Sequence, residues 1–238
     1  MFVRKCKLLL KSRLPSPKLK SYGTYIRKNI SFLKSYRYIK LSDEDIVRGD
    51  YKNFFGGGPL NWDTRGRFQL FFLESEGLSP ESKLIDIGCG PIRGGIHFIN
   101  FLKEGNYFGI DYNKSFIQAA RMIVKDQGLQ EKKPKLEVVS SFNLPNAEKV
   151  FDYGIAFSVL NHCNERERRN FFEMMLSVMK IGGLFYVSHA KWFNESYLTG
   201  KHCRVVKSFE HSSFDITKFG WEHFEAVFPI LKLEICQH

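Results

Sequence analysis

The chain has 238 residues, 43% hydrophobic and 26% charged, with 23 Phe and a net charge of +11. Those proportions are those of a soluble globular protein with an aromatic interior, and no apolar run approaches the roughly 20 residues of a bilayer span. The five cysteines (Cys6, Cys89, Cys163, Cys203, Cys236) are scattered, odd in number and never spaced C-x-x-C, which predicts reduced thiols rather than a disulfide framework or a zinc site.

The charge is unevenly placed. Residues 1–40 hold eight Lys and four Arg and no acid, +12, which leaves 24 basic against 25 acidic residues, a net −1, in the rest. The isoelectric point therefore describes a tail and says little about a site in the body. Pro15 and Pro17 forbid a continuous helix in 1–20, and 8–10 is too short an apolar run for a signal-peptide core. Between 21 and 41, Tyr22, Tyr25, Ile26, Ile30 and Leu33 recur at helical spacing with Arg27, Lys28 and Lys34 off the stripe. Two readings of this basic amphipathic segment stay open: docking to an anionic surface, such as a membrane face or a phosphorylated or lipid-linked substrate, and a helix packed on the body with a solvated outer face. A lysine bias weakens a third, a mitochondrial presequence.

After residue 41 comes the segment FFGGGPLNWD (54–63), whose three glycines and proline mark a flexible loop ahead of the next helix. The spacing of Phe68, Phe71 and Phe72 predicts a helix over 65–76, with Gly77 as its C-cap. An apolar run at 83–87 reads as a buried strand and ends in glycines; Ile96, Ile99 and Leu102 then place a helix over 94–102. This strand, loop and helix suit a nucleotide-type ligand, since glycine lets the backbone turn sharply against a ligand and the helix amides point at the loop. The dinucleotide fingerprint is broken, because G-x-G-x-x-G needs glycine where Arg93 stands. What remains is D-x-G-x-G at Asp86, Gly88 and Gly90. The next apolar run, NYFGI, ends in Asp111, whose carboxylate can accept from two ribose hydroxyls.

Further along, 113–127 reads as a helix capped by Asn113, 136–139 as a strand, and 151–159 as another. Asn164 caps a helix with Glu165 and Glu167 in its first turn, which Gly182 and Gly183 are expected to close, and 184–188 is a fifth strand. Residues 214–220 look helical and 227–236 look like one or two strands. The alternation predicts an α/β fold, doubly wound, with a mostly parallel sheet and ligands at the carboxyl ends of its strands.

The wording IDIGCGPIRGGIHFI followed by YFGIDYN resembles the class I S-adenosylmethionine-dependent methyltransferases, and within them a bacterial subgroup linked to small-molecule and glycan tailoring; the likeness covers about 53–220. It implies a seven-stranded Rossmann-like sheet, with the last strands abbreviated, in a domain at 53–238 that binds S-adenosylmethionine, preceded by a basic, partly helical extension at 1–52. One feature departs from the family: its third loop glycine falls at Ile92, so the cradle is expected to close differently around 91–94.

The cofactor contacts implied by the resemblance are Arg67, Asp86, Gly88, Cys89, Gly90, Asp111, Tyr112, Ser141, Phe142, Phe157 and Ser158. Arg67 would donate to the methionine carboxylate, although a solvated helix arginine explains it equally. Ser141, or the Phe142 backbone, would reach the adenine where many members carry an acid. His162 and His189, at strand ends, are candidate general bases, with a packing histidine or a polar rim as the plain alternative. Cys163 reads as a small buried hydrophobe, and His202, Cys203 and His211 lack ligand spacing, so no metal is expected. The implied acceptor is a small molecule, sugar or surface glycan. An RNA-modifying enzyme using the basic tail is the alternative, although SVLNHC lacks the proline-rich signature of nucleic-acid amino-methylating enzymes after the fourth strand; a non-catalytic cofactor-binding protein is a third reading. The expected place is the cytoplasm, with residues 1–40 reaching an anionic membrane surface.

Overall fold

The computed structural model describes residues 39–54, 62–144, 147–188, 203–209 and 230–236. The tail at 1–38, the helix expected at 214–220, and His189, His202 and His211 lie outside them. In chain order the elements are α1 (Asp43–Arg48), α2 (Trp62–Ser75), β1 (Leu84–Ile87), α3 (Gly95–Phe101), β2 (Tyr107–Asp111), α4 (Lys114–Asp126), β3 (Lys135–Val138), β4 (Phe151–Ala156), α5 (Glu165–Val178), β5 (Met179–Ser188), β6 (Cys203–Phe209) and β7 (Ile230–Ile235), with 3-10 turns at Asp50–Phe54, Gln130–Lys132 and Leu160–His162.

The strands pair in the order β3-β2-β1-β4-β5-β7-β6. The first five are parallel, and β7 runs antiparallel between β5 and β6. Every residue of β1 and β2 is buried, because a parallel sheet covered on both faces leaves no solvent side. Alternation divides them. Ile85, Ile87, Phe108 and Ile110 join Phe171, Phe172 and Met175 of α5, while Leu84 and Tyr107 join the layer of Leu73 (α2), Phe98 (α3) and Ile117 (α4). Asp86 and Asp111 share the parity of Leu84 and Tyr107, so both carboxylates stand on the α2–α3–α4 side.

Local signals set the helix starts. Asn113 Oδ1 accepts from the N–H groups of Ser115 (2.9 Å) and Phe116 (3.3 Å) at the head of α4. Asn164 and Glu167 form a reciprocal capping box at the head of α5, with Glu167 N–H to Asn164 Oδ1 at 3.0 Å and Asn164 N–H to Glu167 Oε2 at 2.8 Å.

The loop expected from the glycines and proline of 54–63 lies mostly outside the described residues; ahead of it Ser42 and Asp45 make a capping box, and Ile46 and Tyr51 are buried. Three expectations are corrected. The strand expected to run to 159 stops at Ala156, because Ser158 is left-handed (φ 62°) and the chain enters the turn at Leu160–His162. Gly182 and Gly183 do not close a helix. α5 ends at Val178, and these glycines lie in a bulge of β5, where the register jumps from Phe151↔Met179 to Tyr153↔Leu184 and Gly182 has φ 78°. The end of the sheet is not abbreviated: β6, unforeseen, adds seven residues to the edge, and the described part of 227–236 forms one strand, β7.

Candidate active site

The strand order reverses between β1 and β4, the two strands that flank the switch point where open α/β sheets bind ligands. The loops leaving them meet. Gly88 (φ 76°) lies so close to the Val159 side chain that a methyl group there would overlap it. The β1 loop is fastened to β2 by its backbone, since the N–H groups of Gly88 and Cys89 both donate to the Ile110 carbonyl (2.8 and 3.0 Å). Asp111 completes the fastening: its Oδ2 accepts from Gly90 N–H (3.0 Å) and its Oδ1 from Asn113 N–H (2.8 Å).

Both acids are costly where they stand. Asp86 and Asp111 are 5% and 4% exposed. Burial pushes the Asp86 carboxyl up to about 7; the Tyr107 hydroxyl, donating to Asp86 Oδ2 at 2.8 Å, pulls it down, the Asp111 charge raises it and the Arg93 charge lowers it. Asp111 is raised to about 6, again by burial, against the N–H groups of Asn113, Gly90 and Tyr112. Burial and the two acids push the Cys89 thiol well above its ordinary value, so it is no nucleophile.

Tyr107 is a member of this site that the sequence reading passed over as one apolar residue of NYFGI. Two-residue periodicity puts it on the face of Asp111 and, through the Leu84↔Tyr107 register, of Asp86. Its hydroxyl has space because position 95 is glycine: a methyl group there would overlap the Tyr107 oxygen.

Backbone strain gathers at the same edge. Five non-glycine residues among those described have positive φ, and four of them (Ile92, Ser141, Phe142 and Ser158) lie in the loops after β1, β3 and β4. Ile92 is the least expected, being β-branched with φ 51°. The loop thus holds the left-handed turn that glycine takes freely, and closure around 91–94 does not abandon it. Left-handed strain costs roughly 1–3 kcal/mol, and burial of the 1%-exposed Ile92 side chain among Phe68, Phe98 and Tyr107 returns about the same.

The remaining candidates are placed as follows. Gly90 has φ 55° in the same loop. Tyr112 follows Asp111 and is 37% exposed. Ser141 is exposed, with its carbonyl accepting from Asn170 Nδ2 (3.3 Å), and the Phe142 ring turns inward to Phe171 (5.4 Å), leaving its backbone for the crevice. Phe157 meets Phe68 of α2 edge-on (6.5 Å), and Ser158 N–H donates to Ser188 Oγ (2.7 Å), tying the ends of β4 and β5 together. His162 is half-buried on the 3-10 turn after β4. Arg67 lies on the outer face of α2, where it pairs with Asp63 (2.7 Å). α2 itself presses on the glycine loop, since a methyl at Gly66 would overlap the Arg93 carbonyl.

These residues fit S-adenosylmethionine. A carboxylate offers about four lone-pair positions, and backbone amides take only part of Asp111's, which leaves acceptor capacity for ribose hydroxyls at the end of β2. Among the described residues no three His, Cys, Asp or Glu are grouped to hold a metal ion, and no helix is long and apolar enough to cross a membrane.

Comparison with known proteins bears on the family and the fold. Residues 78–225 match the family described as Methyltransferase domain. The human EEF1A lysine methyltransferase 2 is 32% identical over 128 residues, half of this chain and 51% of that protein. An uncharacterised protein of Rickettsia prowazekii is 23% identical over 120 residues, 48% of this chain and 46% of its own length. The chain thus spans about half the length of the curated relatives it matches. Among solved structures, a magnesium protoporphyrin IX methyltransferase from Synechocystis PCC 6803 with bound S-adenosylhomocysteine superposes with a TM-score of 0.59 at 14% identity, over 87% of this chain and all of that one, a likeness of fold.

Proposed function

The chain belongs to the Methyltransferase domain family, whose cofactor is S-adenosylmethionine, and on that premise we propose that it transfers a methyl group in line to a hydroxyl or amine of a small-molecule, sugar or glycan acceptor. The observation that carries the reading is the pair of buried acids at the ends of β1 and β2, joined through the D-x-G-x-G loop at the switch point. The cofactor supplies an electrophilic methyl on a sulfonium, so the protein's main tasks are alignment and exclusion of water, and alignment alone is worth roughly 7–11 kcal/mol.

Each residue then has a task. Asp111, beside Tyr112, accepts the ribose hydroxyls. Gly88, Cys89 and Gly90 bring backbone against the ligand, and Asp86, locked by Tyr107, fixes the loop from below. Ser141 and the Phe142 backbone take the adenine edge, Phe157 and Ser158 line the β4 side, and Arg67 turns from Asp63 to the methionine carboxylate. His162 and His189 are the candidates to take a proton from the acceptor. The domain is assigned to 53–238 and the basic extension to 1–52, with residues 1–40 docking on anionic surfaces.

The near-neutral charge of residues 41–238 supports a small or neutral acceptor, since a polyanion such as RNA needs a cationic track. A second reading, a lysine side chain of a protein, draws on the 32% identity to the human lysine methyltransferase over half of the chain. Incubation with methyl-labelled S-adenosylmethionine and fractionated extract tests both. Label in a low-molecular-weight or glycan fraction supports the first reading, protease-sensitive label the second and nuclease-sensitive label the RNA alternative; no incorporation in any fraction contradicts an enzymatic role.

A further inference from the structure

Residues 39–54 are fastened to the turn after β2 and, through Trp62 of α2, reach the glycine loop after β1. At one end the pivot is Asn113, 6% exposed. Its N–H donates to Asp111 Oδ1, its Oδ1 caps α4, and its Nδ2 donates to the Ile39 carbonyl (2.9 Å). Ser115 Oγ lies 3.3 Å from the same carbonyl, and Gln118 Nε2 donates to Asp43 Oδ1 (2.6 Å) at the start of α1. At the other end Tyr51, 7% exposed, meets Trp62 edge-on at 5.2 Å, and Arg93 of the glycine loop lies over that indole at 5.8 Å.

A six-residue helix such as α1 does not persist in water by itself. α1 is held by its Ser42–Asp45 capping box, by burial of Ile46 and by these attachments to α4 and α2. Asn113 is therefore shared. The turn that presents its Nδ2 to Ile39 is the turn whose N–H fixes the Asp111 carboxylate, and a ribose held on Asp111 fixes that carboxylate from the other side.

We infer that residues 39–54 form a strap whose docking is coupled to cofactor binding through Asn113, a positioning residue for Asp111. The inference rests on the cofactor reading given above. Coupling of this kind is reciprocal: cofactor protects the strap, and loosening the strap weakens the cofactor by the same factor.

The test uses the full chain with S-adenosylhomocysteine as probe, calorimetry for affinity and amide hydrogen exchange for strap order. In the wild type, ligand should slow exchange across Asp43–Arg48 and at Tyr51. Ile46→Ala, which loosens the strap away from Asp111, should weaken binding by about three- to tenfold, the equivalent of about one hydrogen bond. Asn113→Ser retains a helix cap and the N–H to Asp111 but removes the shorter of the two hydrogen bonds to the Ile39 carbonyl, leaving that of Ser115, and in it the ligand should protect the strap less than in the wild type. Should Ile46→Ala fail to fold, Gln118→Ala cuts the exposed contact to Asp43 and should show the same trend more weakly. A wild type that binds ligand with no change in strap exchange, together with wild-type affinity in the strap variant, overturns the coupling while leaving the cofactor reading standing. A wild type that does not bind S-adenosylhomocysteine removes the premise and the inference with it.

Discussion

Replacing Asp86 by Asn should flatten the dependence of stability on pH. Asp86 has an ordinary value of 3.8 and is raised to about 7 in the fold, first by burial. A carboxyl raised on folding binds its proton more tightly in the native state, so between these values the folded chain carries more protons than the unfolded one and stability falls as pH rises. Carried from pH 5 to pH 8, the two values remove about 2 to 3 kcal/mol, at 1.4 kcal/mol per pH unit where the difference is complete. For a chain of this size that is a decrease of about 5–10 °C in melting temperature. Asn retains a carbonyl for the Tyr107 hydroxyl and does not titrate. The assay is a melting curve at half-unit steps of pH on both proteins without ligand, and the quantity is the difference between them, which cancels the groups that do not interact with Asp86 and leaves Asp86 with its coupling to Asp111. The wild type should lose stability relative to Asp86→Asn between pH 5 and 8, with the steepest change below about pH 7. A constant difference, or a wild type that gains on the variant as pH rises, would show that Asp86 is not held protonated by burial.

Asp111→Ala should weaken S-adenosylhomocysteine by about 1.5–3 kcal/mol, the range for hydrogen bonds to a charged group, and because it strands the Gly90 and Asn113 N–H groups, Asp111→Asn should retain more stability; wild-type affinity in folded Asp111→Ala would show that the ribose is bound elsewhere. Gly95→Ala should lower stability by about 1–3 kcal/mol, as overpacking does, by pushing the Tyr107 hydroxyl off Asp86, and an unchanged melting curve would disprove the close approach. Deleting residues 1–38 should leave S-adenosylhomocysteine affinity nearly unchanged and abolish salt-sensitive co-sedimentation with anionic vesicles, to which each Lys or Arg near the surface contributes about 1 kcal/mol; full-length protein that stays in the supernatant at low salt would refute docking by the tail.

How much of this was legible in the sequence depends on how local its cause is. Asp86, Gly88, Gly90 and Asp111 could be placed because a strand that ends in an acid and breaks into glycines specifies its own turn, and Asn113 and Asn164 could be named as caps because capping depends on the next three residues. β6 could not: Cys203–Phe209 alternates only weakly, and its strand character comes from pairing with β7, more than twenty residues away. Two glycines after a helix commonly act as a stop signal, whereas here strand pairing with β4 claims Gly182 and Gly183 for a bulge. Tyr107 and the strap escaped for a related reason. The Tyr107–Asp86 bond spans 21 residues and the Asn113–Ile39 bond 74, and no spacing within one element encodes either. Ile92 shows the converse, since a substitution that reads as the loss of the family's glycine leaves the turn in place once burial of the side chain offsets the strain.

The measurement that bears most directly on the central assignment is a parallel calorimetric titration of the full chain with S-adenosylhomocysteine and with NAD. With D-x-G-x-G intact, Arg93 where the dinucleotide glycine belongs and Asp111 holding Gly90 at the end of β2, S-adenosylhomocysteine should bind at one site per chain and NAD should give no saturable heat. Tighter binding of NAD than of S-adenosylhomocysteine would contradict the account.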